Sequence, residues 1–201
     1  PCKNNAAAIC LPPGLRVTLA GAGHSKTKLQ LGPAFQAAIW GSALSLQDLM
    51  LTDELPPGTP VAPPPVGRSA NPNHGLWSMD TYAAWQQNVS DVSFRRLHVV
   101  STRNSATLML AFARRVTVED CLLDGGGIRL SGPVSDVHII NNTARLHGPF
   151  PTELGGGVEG FISAGVRVSA VCVANNTISA LKPHNESTIS GRLWQAMGFA
   201  S

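Results

Sequence analysis

The 201-residue chain combines 43% hydrophobic residues with only 13% charged and 5% aromatic, and it carries 20 Gly and 15 Pro. That balance suits one globular domain with a sizeable core, and it excludes both a long helical bundle and a wholly disordered chain. The net charge of +3 is dispersed, with adjacent basic residues at Arg95-Arg96 and Arg114-Arg115, so the basic stripe of a nucleic-acid partner is missing. The most apolar stretch, Ala34 to Leu51, is interrupted by Gln36, Ser42, Ser45, Gln47 and Asp48 and fails as a membrane span.

The chain opens at Pro1 without Met or a basic-then-apolar leader, which reads as a mature product or a fragment. Residues 1–14 read as an N-terminal cap segment. Within it, Cys2 and Cys10 flank a short Asn/Ala stretch, where a disulfide would stop the terminus fraying in an oxidising compartment. The remaining cysteines, Cys121 and Cys172, are expected to stay apart. No CxxC occurs and no His stands at ligand spacing from a Cys, so a zinc site is not expected.

From Val17 onward a repeat governs the pattern. A faint copy, Val17-Thr18-Leu19 running into Gly21-Ala22-Gly23, is followed by LSLQDLML from Leu44, VSFRRLHV from Val92, VTVEDCLL from Val116, VHIINNTA from Val137 and VCVANNTI from Val171. Apolar residues recur two positions in, at Leu46, Phe94, Val118, Ile139 and Val173, as strand alternation requires. Asp48, Arg96, Asp120, Asn141 and Asn175 then mark a tight corner, since Asp and Asn tolerate left-handed backbone. Apolar character returns at Leu51, Val99, Leu123 and Ile178, so each copy is a strand, a corner and a second strand. Third strands are expected at Leu29–Leu31, Thr107–Leu110 and Ile128–Leu130.

The copies start 27, 48, 24, 21 and 34 residues apart. Intervals of roughly 20 to 30 residues fit one turn of a β-solenoid. The long intervals hold insertions: a Pro-rich one at residues 55–72 and a Gly/Pro-rich one from His147 to Val158. The apolar-x-apolar-x-Asn-Asn-x-apolar segment Val171 to Ile178 resembles the corner of the right-handed parallel β-helix in the pectate-lyase-like superfamily. The resemblance spans Leu15 to Ile189 and implies a domain over residues 15–189. It implies no function, because that fold hosts lyases, hydrolases, adhesins and inert structural proteins.

No catalytic constellation is legible. Polygalacturonase-like members of that superfamily would be expected to show paired Asp residues and a Gly-His-Gly segment, approached here only by Gly23-His24-Ser25. Asp48, Glu119, Asp120 and Asp124 lie on separate copies, too dispersed for calcium, and no cofactor or metal is expected. Stacking predicts a ladder of alternating sign through Asp91, Arg115 and Asp136, with Arg95 facing Glu119. His98 and His138 fall at outward strand positions; His24, His74, His147 and His184 fall in loops. Trp77, Tyr82 and Trp85 follow the Pro-rich insertion, either closing the core or stacking on carbohydrate.

Four Asn-x-Ser/Thr sequons start at Asn88, Asn141, Asn175 and Asn185, and Asn185 lies in a polar loop signature. The run Pro56 to Pro65 looks like hydroxyproline-rich tracts of plant and green-algal extracellular glycoproteins. Together these features predict an extracellular or cell-surface location. The leading functional expectation is a structural or adhesive glycoprotein module; the alternatives are a polysaccharide lyase or hydrolase with an unrecognised site and a carbohydrate-binding module. Residues 190–201 form a terminal cap or docking segment, with Ile189, Leu193, Trp194 and Met197 near helical spacing, and the solenoid ends offer self-association or a neighbouring domain.

Overall fold

The computed structural model describes residues 7–10, 15–30, 37–40, 43–52, 54, 57–58, 75–78, 89–101, 106–147, 161–164, 167–181 and 197–199. Among these the chain is all-β, and every strand pairing is parallel. No helix among them is long and apolar enough to cross a membrane.

The strands stack in three columns. The first holds β1 (Ala7–Cys10), β4 (Ala37–Trp40), β7 (Gly75–Ser78), the opening parts of β10 (Ala106–Glu119) and β12 (Gly127–Ile140), β14 (Ile162–Ala164) and β17 (Met197–Phe199). The second holds β2 (Val17–Ala20), β5 (Leu44–Gln47), β8 (Val89–Arg95), the later parts of β10 and β12, and β15 (Val168–Ala174). The third is a separate sheet of β3 (Lys28–Gln30), β6 (Met50–Thr52), β9 (His98–Val100), β11 (Leu122–Gly125), β13 (Thr143–His147) and β16 (Thr177–Leu181). The chain visits first, second and third column in that order six times and then re-enters the first at β17. Each visit forms one rung, about 4.8 Å from the next.

Alternation decides what each column buries. In the second column Leu44, Leu46, Val92, Phe94, Val116, Val118, Val137 and Ile139 are at most 1% exposed. Leu51, Val99, Leu123 and Ala144 do the same from the third column, and Leu108, Leu110, Ile128 and Leu130 from the first. Each large side chain so buried contributes about 1.5–3 kcal/mol. The expected inward pair Val171 and Val173 departs from this: Val171 is half-buried and Val173 is 36% exposed. Among the described residues no strand lies beyond β15, so no described strand covers that rung from that side.

The corners take the left-handed conformation expected of them. Asp48, Arg96, Asp120, Asn141 and Asn175 have φ between 49° and 57°. A second left-handed station, not anticipated, lies just before five of the six second-column runs of alternation, at Ala43, Asp91, Arg115, Asp136 and Ala170 (φ 52–59°). It shifts the phase of the strand by one residue, so that Arg114 and Arg115 are both exposed between buried Ala113 and Val116. Stacked rungs make the shift together, and Ala113↔Val89 and Val116↔Val92 stay in register across it.

Two glycines are required by close approach. A Cβ on Gly125 (φ +125°) would run into the Ser101 carbonyl, and one on Gly21 into that of Asp48. Beside Gly125, the buried Thr107 hydroxyl donates to the carbonyls of Gly127 (3.0 Å) and Gly126 (3.3 Å), where the register between β10 and β12 shifts.

Three expectations change. Leu29 belongs to the third column with Leu51, whereas Leu108–Leu110 and Ile128–Leu130 belong to the first, so the proposed third strands are of two kinds. Ala7–Cys10, placed in a cap segment, is a rung in register with Ala37–Trp40. Met197, placed at helical spacing, lies in β17 and pairs with Ile162, because the edge of β14 offers its backbone a partner that an isolated helical turn lacks. Most of the 55–72 insertion and residues 182–196 lie outside the described residues.

Val118→Asp buries an unpaired charge and is expected to cost roughly 3–5 kcal/mol in urea unfolding. Val173→Asp, at the exposed end of the same column, is expected to cost under about 1 kcal/mol.

Candidate functional site

The corner edge concentrates the polar chemistry of the described residues. The station after each left-handed corner reads Leu49, Leu97, Cys121, Asn142 and Asn176 along the stack. Leu49, Leu97, Cys121 and Asn142 are all within 2% of complete burial. An asparagine fits so dry a station only if its amide is satisfied. The Asn142 Nδ2 donates to the Val118 carbonyl and to Asn176 Oδ1 (both 3.0 Å), and Asn142 Oδ1 accepts the Cys121 N–H (3.0 Å). One rung on, Asn176 Nδ2 donates to the Ile139 carbonyl (2.8 Å) and its Oδ1 accepts the Asn142 N–H (2.8 Å). Each Asn therefore ties one corner to the rung below it.

Sequence reasoning treated each Asn-Asn pair as one corner, and the structure divides its labour. Asn141 and Asn175, both sequon residues, are exposed at the left-handed station, while the second Asn of each pair turns to the ladder. The legible signal was a buried apolar station that changes to Asn in two consecutive copies. Asn88, Asn185, Tyr82, Trp85 and Cys2 lie outside the described residues. Of Cys10 and Trp77 only the backbone is described, with Trp77 in register with Leu108.

Cys121 and Cys172 are free, as expected. Burial pushes the Cys121 thiol up to about 12, so it stays protonated and inert at neutral pH. Cys172 is exposed, in register with exposed His138.

The outward charges pair across rungs. Arg115 grips Asp91 with two bonds (Nε and Nη2, both 2.7 Å), and Arg96 grips Asp48 in the same way (2.7 and 2.8 Å). Such forked pairs are geometrically selective. Arg95 lies 3.4 Å from Glu119, as expected. Asp136 departs from the predicted ladder: it accepts from Arg114 Nε (3.1 Å), because Arg115 is already committed to Asp91. The Arg115 contact, then the Ser90 hydroxyl, hold the Asp91 carboxyl down at about 2. The Arg96 contact lowers Asp48 likewise.

His98 was expected at the solvated surface, yet it is partly buried. Its Nε2 is 3.5 Å from Asp124 Oδ2, and Arg145 Nη1 is also 3.5 Å from that oxygen. The His24 ring packs edge-on against His98, centroids 5.8 Å apart. The contact arises because the first rung carries five extra residues, Ala22 to Lys26, between Gly21, which occupies the station of Asp48, and Thr27, which occupies that of Leu49. Among the described residues no three His, Cys, Asp or Glu side chains are grouped to hold a metal ion. No family model, no curated protein and no solved structure matches the chain.

Asn142→Ala strips the Cys121 N–H of its buried partner and Asn176 Oδ1 of one of its two donors, and is expected to cost about 2 kcal/mol or more in denaturant unfolding. Asp91 has a depressed folded pKa, so its contribution is present above 3.8 and is lost as pH falls through about 2. The stability gap between the native chain and Asp91→Asn is therefore expected to close across that window. At neutral pH the gap stays below about 1 kcal/mol, because the pair is exposed, and it narrows further in 1 M salt.

Proposed function

We propose that the three columns are the faces of a right-handed parallel β-helix of the pectate-lyase-like kind, and that the chain is a structural or adhesive module of an extracellular glycoprotein. The recurrent column order, the two left-handed stations in five of the six rungs and the apolar lining of all three columns support the coil. One observation carries the functional half: four pairs of charged side chains on the outer surface join neighbours one rung apart, Asp48 with Arg96, Asp91 with Arg115, Arg95 with Glu119 and Arg114 with Asp136. Groups held this way fix register and do not converge on a substrate. The exposed sequon residues Asn141 and Asn175 offer attachment points on one edge, and Asn88 and Asn185 add two more.

A second reading, a polysaccharide lyase or hydrolase, draws on His98, Asp124 and Arg145. There a potential base and a cation each lie 3.5 Å from the same carboxylate oxygen. The carbohydrate-binding alternative rests on Trp77, Tyr82 and Trp85 and gains no support from the described residues.

Incubation with polygalacturonate, alginate and neutral polysaccharides is expected to yield neither unsaturated products nor new reducing ends. Turnover abolished by Asp124→Asn would replace the structural reading with the enzymatic one. Glycopeptide mapping of native-source protein is expected to find N-glycans at Asn185 and Asn88; unmodified peptides at all four sequons would remove the extracellular reading.

A further inference from the structure

We propose that Asn141 and Asn175 are one modification station with two acceptors, so that the folded chain carries an N-linked glycan on one of them and not on both. The inference rests on the extracellular reading and adds a rule of occupancy to it. Both residues open Asn-Asn-Thr sequons, which end at Thr143 and Thr177. Both are exposed, and the amides that bond across rungs at this corner belong instead to Asn142 and Asn176.

The two acceptors stand directly over one another. Ile140 pairs with Ala174 just before them, and Thr143 pairs with Thr177 just after. The backbone between is also alike: φ is 57° at Asn141 and 54° at Asn175, and the Asn141 N–H donates to the Ala174 carbonyl (3.1 Å). Like backbone at like stations sends both Cα–Cβ bonds the same way, one rung or about 4.8 Å apart. A pyranose with its 2-acetamido group is wider than that spacing, and the planar amide that ties it to Asn limits how far two neighbours can splay. On the other flank of Asn141 the exposed Asp120 occupies the same column. Sequons receive their glycans on extended chain, before the rungs close. A chain modified at both sites then has to crowd two sugars or give up the register of Ile140 with Ala174.

The test uses the full chain secreted from a eukaryotic cell behind a leader peptide, with Asn88→Gln and Asn185→Gln so that the two corner sequons remain. Intact mass counts the glycans in the fraction that unfolds cooperatively. Adding Asn175→Asp or Asn141→Asp measures the occupancy of each acceptor alone; Asp holds the same left-handed station at Asp48 and Asp120, so the corner is kept. Each acceptor is expected to gain occupancy when the other is removed. Molecules with two glycans are expected about tenfold or more below the product of the two single occupancies. Doubly modified folded molecules at that product overturn the proposal, and so do acceptors that stay empty in both single variants. If glycans are then found at Asn88 or Asn185 of native-source protein, only the occupancy rule fails; four unmodified sequons there remove the extracellular reading as well.

Discussion

Everything in this fold depends on one constraint: a residue's environment is set by its station in the rung, because parallel pairing stacks like upon like. Backbone bonds such as Val17 N–H to Ala43 carbonyl and Ala43 N–H to Ser90 carbonyl run along the stack rather than around it. A station that faces inward in one rung therefore faces inward in all. The core is a set of columns, Leu46, Phe94, Val118 and Ile139 in one, Leu51, Val99, Leu123 and Ala144 in another. The variation of size along each column has to be balanced within the rung: where the third column narrows to Ala144, Ile139 of the same rung remains fully buried.

The same constraint explains the polar interior. A corner station holds Leu in two rungs, Cys in one and Asn in two, and these are chemically unlike. Leu49 and Leu97 answer only to the apolar core. Cys121 is intermediate, with its Sγ 3.2 Å from the Glu119 carbonyl. Once Asn142 enters the column its amide must be satisfied above and below, and Asn176 in the next rung meets that need while receiving the same service. Adding a single Asn to an otherwise apolar column would strand a buried amide; adding two in succession closes the network.

Legibility followed from how local each signal was. Alternation in Val116-Thr117-Val118 and the Asn or Asp at four of the five corners are properties of short windows, and both are found where expected. The left-handed station before five of the six second-column runs was not legible, since it holds Ala43, Arg115 and Ala170 beside Asp91 and Asp136. Neither Ala nor Arg favours that conformation; the surrounding ladder imposes it, at a strain of about 1–3 kcal/mol per residue. The first column was nearly silent, because Ala7–Cys10 and Ala37–Trp40 show no polar alternation to set a period. The contact of His24 with His98 depends on a five-residue insertion in one rung and had no signature in the repeat.

A stack of parallel rungs with long insertions has to find the right rung after each excursion, and the charge pattern bears on that choice. Between Asp48 and Arg96, adjacent in the stack, the chain makes a long detour that includes the Pro-rich tract. Closing such a loop is an entropic cost that rises only slowly with length, so the detour does not by itself prevent assembly. Many apolar faces are similar enough, though, to stack out of order. The corner column reads Asp48, Arg96, Asp120, and skipping one rung would set Asp48 against Asp120. The outer column reads Asp91, Arg115, Asp136, where the same skip would oppose two carboxylates again. Each exposed pair adds little to stability when correctly formed. Its larger consequence is a repulsion in the skipped arrangement, applied at both left-handed stations of the rung.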